Sequence, residues 1–351
     1  MLKIMKQRKW KAESPKGEIT LYKLTNKTGA SIVLSSLGAG VLSIIVPDRN
    51  GRFHDVVLGY ANPADYLYDE PYAGKVIGRY AGRIANGEFT IDGIEYRLAQ
   101  NSGINALHGG PEGFANRIWE SQPLADGVLF SLVSEDGDEG YPGQLAVTAQ
   151  YTWSDDNQLK LRLRAATDKK TVINLTNHIY FNLAGERSGC ALGEKLWIDA
   201  SKYLPTNDTL VPTGEMAPVD NTPMDFRAEK IIGQDIECDF PALKFAKGYD
   251  NTWVVDGWEK GKLKTVARLS DDISGRMVEI ATTQPSVHVY TGNWISGCPR
   301  SKSGAAYLDY DGVAIECQGM PDAPNKPEFP SQELCPGEKY DQTIIFKFGI
   351  K

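Results

Sequence analysis

Leu159-Lys-Leu-Arg-Leu-Arg164 alternates apolar and basic side chains without a break. A period of two places the leucines on one face of a pleated strand and the charges on the other, where a helix would scatter both kinds around its axis. The same reading extends outward. Phe89-Thr-Ile-Asp-Gly-Ile-Glu-Tyr-Arg-Leu98 is a hairpin whose turn is Asp92-Gly93, because glycine tolerates the positive φ such turns need. Further strand signals lie at Ile19–Leu24, Ser31–Leu34, Val41–Val46, Val128–Val133, Leu145–Trp153, Leu196–Ile198, Thr252–Val255, Leu263–Leu269, Met277–Ala281, Val287–Tyr290, Val313–Glu316 and Thr343–Phe348. Clusters of Gly, Asn, Asp and Pro separate them, and the 35 glycines suit many tight turns. Helical signals are confined to one turn at Ala64–Tyr68 and a short helix at Arg227–Ile236. Strand after strand without helical crossovers implies antiparallel pairing. The expected fold class is all-β: one large antiparallel β-sandwich over residues 1–351, with few short helices and no repeat or linker.

The bulk numbers narrow the function. The 351 residues can bury a large core; 41% are hydrophobic and 24% charged. The net charge of −7 and the lack of a long basic run argue against nucleic acid or an anionic membrane as partner. The five cysteines, Cys190, Cys238, Cys298, Cys317 and Cys335, are odd in number, widely spaced and form no CxxC pair. They read as reduced thiols rather than a disulfide framework or zinc site, which points to the cytoplasm. Met1–Trp10 is basic with no apolar stretch behind it, unlike a signal peptide. No run reaches the roughly 20 apolar residues of a membrane helix.

Four histidines occur in the chain: His54, His108, His178 and His288. His108 lies in Leu107-His-Gly-Gly-Pro111 and is either a turn residue bonded to nearby backbone or a site residue on a loop that approaches a ligand closely. His178 sits in Val172-Ile-Asn-Leu-Thr-Asn-His-Ile-Tyr-Phe-Asn-Leu183, where polar groups interleave with large apolar ones. That pattern marks a satisfied polar network or a site. Glu316 closes the apolar run Val313-Ala-Ile-Glu316; it is exposed at a strand end, or desolvated into a usable base. Asp250, beside Tyr249 and near Trp253, and Arg83 offer what sugar hydroxyls require, unless they are a turn cap and a surface charge. GxGxxG, Walker, HExxH and GxSxG signatures are missing, and the histidines show no metal-ligand spacing, so neither cofactor nor metal is expected.

Read together, six segments resemble the aldose 1-epimerase, or galactose mutarotase, family. They are Ile77-Gly-Arg-Tyr-Ala-Gly-Arg-Ile-Ala-Asn-Gly87, Asn105-Ala-Leu-His-Gly-Gly110, Asn174-Leu-Thr-Asn-His178 with Tyr180-Phe-Asn-Leu183, Gly248-Tyr-Asp250, Gln284-Pro-Ser-Val287 with Tyr290-Thr-Gly-Asn293, and the run from Glu316 through Pro321-Asp-Ala-Pro-Asn325 to Pro336-Gly-Glu338. They follow the family's order from about Gly38 onward. The resemblance implies a large antiparallel β-sandwich of the galactose mutarotase type, an open cleft, no cofactor, and interconversion of the α and β anomers of free hexoses such as glucose and galactose. It further implies Glu316 as general base, His178 as general acid, and His108, Arg83 and Asp250 as residues that hold the sugar. Three positions depart from the family: Gly82 where Asn is frequent, which removes one sugar contact; Ile179 where Ser is common; and His288 where Gln is frequent. His288 is expected to face the cleft and alter hydroxyl preference or pH dependence, or to be a strand histidine packed beneath it. Competing readings are a hexose 6-phosphate epimerase on the same fold, a glycosidase using Glu316 with Asp250 or another carboxylate, and a non-catalytic sugar-binding sandwich. The expected partner is a small sugar, with the chain a monomer or homodimer.

Overall fold

In the computed structural model, which describes residues 6–351, the alternating leucines lie in strand Gln158–Thr167 with Leu159, Leu161 and Leu163 fully buried and Lys160, Arg162 and Arg164 turned outward. This strand is one of nine in the largest sheet. Their order is Glu120–Pro123, Gly127–Ser134, Leu145–Trp153, Gln158–Thr167, Tyr340–Ile350, Arg276–Thr282, Lys264–Ser270, Lys195–Ile198 and Lys230–Ile231. A six-stranded sheet runs Tyr180–Phe181, Val313–Gln318, Ser286–Tyr290, Asp250–Val254, Lys202–Leu204 and Ala217–Pro218. A third sheet holds the consecutive strands Lys6–Ala12, Ile19–Thr25, Ser31–Ser35, Gly40–Pro47 and Phe53–Asp55. The ladders in all three sheets are antiparallel, as strands joined without helical crossovers require.

One apolar cluster joins the sheets. Leu161, Ile280 and Phe346 enter it from the nine-stranded sheet, Val287, Val289, Val313, Ile315 and Cys317 from the six-stranded sheet, and Tyr22, Leu24 and Ile32 from the third. Because strand residues alternate faces, burying Val313, Ile315 and Cys317 in this core turns Ala314, Glu316 and Gln318 to the opposite side. The same parity turns Ser286, His288 and Tyr290 out from the core face that carries Val287 and Val289.

The Asp92-Gly93 hairpin joins Glu88–Ile91 to Ile94–Arg97, with φ of 51° and 80° at the two turn residues. The expected turn at Ala64–Tyr68 is a 3-10 segment, Pro63–Tyr68, whose first free N–H, that of Ala64, is accepted by the Asn62 side chain. The helix expected over Arg227–Ile236 is not formed. Lys230–Ile231 instead pairs with Lys195–Leu196, and a single 3-10 turn, Ile232–Gln234, follows. Two ladder pairs and the full burial of Ile232 outweigh the local helical preference of so short a stretch. The α-helix of the described residues is Pro241–Ala246, begun by a proline whose missing N–H costs nothing at that position. All five cysteines are free thiols. No helix among the described residues is long and apolar enough to cross a membrane.

Candidate active site

Register places the candidate residues. Within the six-stranded sheet, Thr252 pairs with His288 and His288 with Glu316, so three polar side chains form one row on the non-core face. On the next strand Tyr180 pairs with Ala314 and Phe181 with Val313; the same register carried two residues back sets His178 opposite Glu316. The backbone of His178 is fixed from both sides: its N–H donates to the Lys75 carbonyl at 2.9 Å, and its carbonyl accepts from Gly74 at 2.8 Å. The result is that His178 Nε2 lies 3.4 Å from Glu316 Oε1, with both side chains buried. Glu316 is therefore desolvated in the wall of a cleft, not exposed at a strand end. Its Oε2 and His178 Nδ1 have no partner in the protein.

The polar residues around His178 prove to be a brace. Asn174 bonds through its amide to Ala81, Gly319 and the Gly319 N–H, Thr176 donates to the Cys317 carbonyl, Asn177 to Gly74 and Tyr151, and Asn182 to Gly189 and Asp311. Tyr180 packs beneath the imidazole, with ring centroids 4.9 Å apart.

Leu107 pairs with Arg83, which brings the His108 loop beside the guanidinium. His108 has a left-handed backbone, φ 54°, and Gly109 follows so close to the Gly78 carbonyl that a Cβ would lie 2.1 Å from its oxygen. His108 is bonded to nearby backbone and also reaches the cleft. Its Nδ1 accepts the Gly82 N–H at 3.2 Å, and its ring lines the cleft. Burial, then the neighbouring His178 imidazole and the Arg83 guanidinium, hold its pKa well below the ordinary value. With Nδ1 accepting and the ring neutral, Nε2–H is left as a donor.

Asp250 is held between His288 and Arg83. Its Oδ1 lies 2.8 Å from His288 Nε2, and its Oδ2 lies 3.4 and 3.5 Å from the two terminal nitrogens of Arg83. Burial pushes its pKa up, but Arg83 and His288 outweigh burial and hold the carboxylate well below its usual range. His288 lines the cleft and makes a second bond, from Nδ1 to Thr252 Oγ1 at 2.9 Å. Both of its ring nitrogens are thus engaged within the protein.

These groups converge on one cleft of about 270 Å³. Sequence reasoning missed several of its walls: Tyr72, Tyr180, Tyr290, Thr252, Gln318 and Trp294. Tyr72 approaches the His108 ring edge-on at 5.1 Å. Its loop is fastened by the buried Asp69 carboxylate, which accepts the Ala73 N–H at 2.6 Å and lies 3.5 Å from Lys75 Nζ. Trp294 stands exposed at the mouth with the Lys247 ammonium 4.6 Å from its ring centre. The parity of Glu316 and Gln318 within one strand was a signal for Gln318; nothing local marks Tyr72.

The sheet thus opens an imidazole and a carboxylate side by side into a polar cleft, two groups that can each give or take a proton. The family model described as aldose 1-epimerase matches residues 20–347, and the chain belongs to that family and is an isomerase. It is 43% identical to the galactose mutarotase of Homo sapiens over 339 residues, which cover 96% of this chain and 97% of the relative. It is 39% identical to the aldose 1-epimerase of Escherichia coli over 341 residues, covering 96% and 97%. Among solved structures, the aldose epimerase homologue from C. elegans superposes with a TM-score of 0.86 at 31% identity, covering 98% of this chain and 99% of the other. The galactose 1-epimerase from Lactobacillus acidophilus gives 0.85 at 28%, with 99% of each chain covered.

Proposed function

We propose that this mutarotase interconverts the α and β anomers of free hexoses, glucose and galactose among them, with Glu316 as general base and His178 as general acid. The observation that carries the assignment is the 3.4 Å approach of His178 Nε2 to Glu316 Oε1. The hydroxyl that must lose a proton and the ring oxygen that must gain one are bonded to the same carbon. Acid and base must therefore stand side by side, as these two do.

Glu316 takes the proton of the C1 hydroxyl while the bond between C1 and the ring oxygen breaks and His178 protonates that oxygen. The product is the open-chain aldehyde with a free C5 hydroxyl. Rotation about C1–C2 presents the other carbonyl face. The C5 hydroxyl adds to it, returning its proton to His178, and Glu316 returns the first proton to the C1 oxygen. Both residues end as they began. His108 Nε2–H donates to a sugar hydroxyl, and Arg83 and Asp250 fix the ring so that only C1 is free to move, which is catalysis by positioning. His288 acts through Asp250.

The phosphosugar reading fits less well. The cleft lining has one guanidinium, Arg83, already shared with Asp250, and no lysine. The glycosidase reading needs a second carboxyl free to act at the anomeric centre; both oxygens of Asp250 are engaged, and the remaining carboxylate of the lining, Glu70, is exposed to solvent rather than buried like Glu316. Polarimetry of freshly dissolved α-D-glucose and α-D-galactose tests the assignment. Wild type accelerates the approach to equilibrium, and Glu316→Gln lowers kcat/KM by about 10²–10⁴-fold, the range for a lost general base. Full activity in Glu316→Gln would remove Glu316 from the mechanism.

A further inference from the structure

We propose that Gln318 is a substrate-contacting residue that holds a secondary ring hydroxyl of the sugar; this rests on the mutarotase reading of the same cleft. Gln318 is 1% exposed and lines the cleft, yet its Oε1 has no hydrogen-bond partner. A buried amide oxygen left unsatisfied is costly and uncommon, so a native one calls for a partner. Eleven buried side-chain nitrogen and oxygen atoms among the described residues lack a partner, and five of them are on residues that line the cleft: Arg83 Nε, His178 Nδ1, Thr206 Oγ1, Glu316 Oε2 and Gln318 Oε1. Unmet hydrogen-bonding capacity is thus gathered where the sugar goes.

The backbone beneath this side chain is pinned. The Ser286 hydroxyl donates to the Gln318 carbonyl at 2.7 Å, and Asn174 accepts the next N–H, that of Gly319, at 2.7 Å while donating to the Gly319 carbonyl at 3.1 Å. These bonds fix the backbone from which the Gln318 side chain leaves, on the same strand face as Glu316 and two residues further along. Its Nε2 lies toward Gly82, 3.6 Å from where a Cβ on that glycine would stand, so no side chain at position 82 covers it. An amide offers a donor and an acceptor side by side, which matches a hydroxyl that needs both. Glu316 occupies the anomeric end, which leaves Gln318 a hydroxyl on another ring carbon.

The test compares wild type with Gln318→Leu, which keeps the bulk and removes both polar ends, on glucose and on its 2-, 3- and 4-deoxy analogues. Gln318→Leu is expected to raise KM for glucose about tenfold, the worth of one hydrogen bond, with the loss falling on KM rather than kcat. One deoxy sugar should show the same loss with wild type and no further loss with the variant. An unchanged KM for glucose, or independent losses on all three analogues, overturns the role of Gln318 while leaving the mutarotase assignment intact. Wild type inactive on every sugar overturns both. Should Gln318→Leu fold poorly, the side-chain NH₂ signals of Gln318 in ¹⁵N-labelled wild type, assigned with Gln318→Asn, must shift on adding glucose; signals that stay fixed refute the contact.

Discussion

Replacing His288 by glutamine should be nearly silent, and replacing it by leucine should not. The reasoning starts from its two bonds, 2.8 Å from Nε2 to Asp250 Oδ1 and 2.9 Å from Nδ1 to Thr252 Oγ1. A neutral imidazole that donates to the carboxylate and accepts from the hydroxyl uses one donor and one acceptor. A glutamine amide carries both, so His288→Gln can keep Asp250 in place. Leucine can supply neither. A hydrogen bond to a charged group contributes about 1.5–3 kcal/mol, which converts to roughly 10- to 100-fold in kcat/KM when Asp250 loses its support. The assay is polarimetric mutarotation of glucose and galactose across pH 5.5–8.5 for wild type and both variants. The expected result is His288→Gln within about threefold of wild type and His288→Leu lower by about 10- to 100-fold. Equal loss in both variants would show that the imidazole itself is required. Full activity in His288→Leu would show that Asp250 needs no such support.

Two further predictions concern stability. Burial pushes the Glu194 carboxyl up to about 8, with the Leu183 and Ala184 N–H bonds pulling it back and Asp271 adding to the rise. A carboxyl raised in the folded state is stabilising below its unfolded value and loses that contribution as pH rises through the folded value. Urea unfolding of wild type should therefore lose on the order of 5 kcal/mol between pH 4.5 and 8, and Glu194→Gln should remove that part of the slope; parallel pH profiles would refute this. Lys75 and Asp69 form a buried pair at 3.5 Å with no exposure of either side chain. Lys75→Met should destabilise by about 3–5 kcal/mol because it strands the carboxylate, and adding Asp69→Asn should recover part of that loss; strictly additive effects would refute the pairing.

The strands were the most readable part of the sequence. Leu145–Trp153 was expected with the bounds it has, and Leu263–Leu269 lies one residue from the observed Lys264–Ser270. Leu145–Trp153 has the period-two burial that one core face imposes, whereas Lys264–Ser270 breaks that period at the bulge between Thr265 and Ala267. Lys6–Ala12 went unread because an edge strand exposed along most of its length has no apolar face to advertise it. The Arg227–Ile236 segment was misread because its true partner, Lys195–Leu196, lies far away in sequence. His178, Glu316, Arg83, His108, Asp250 and His288 all line the cleft, yet only their resemblance to family motifs joined them beforehand. The distance between His178 and Glu316 depends on a register between Tyr180 and Ala314, a pairing that local sequence does not express. Tyr72 depends on a loop tied down by Asp69, and no pattern within the loop announces that tie.

Strand Tyr340–Ile350 fills the middle of the largest sheet, between Gln158–Thr167 on one side and Arg276–Thr282 on the other. During synthesis both neighbours emerge well before it. Until it arrives, two long strands wait with unpaired backbone and the bare apolar surface that Ile344, Phe346 and Phe348 will cover. Contacts this distant in sequence form slowly, and open strand edges invite pairing with the wrong chain. The nascent polypeptide therefore passes through a stage at which the other strands of this sheet are made but it cannot close, and that interval is when shelter by a chaperone would matter most to its yield.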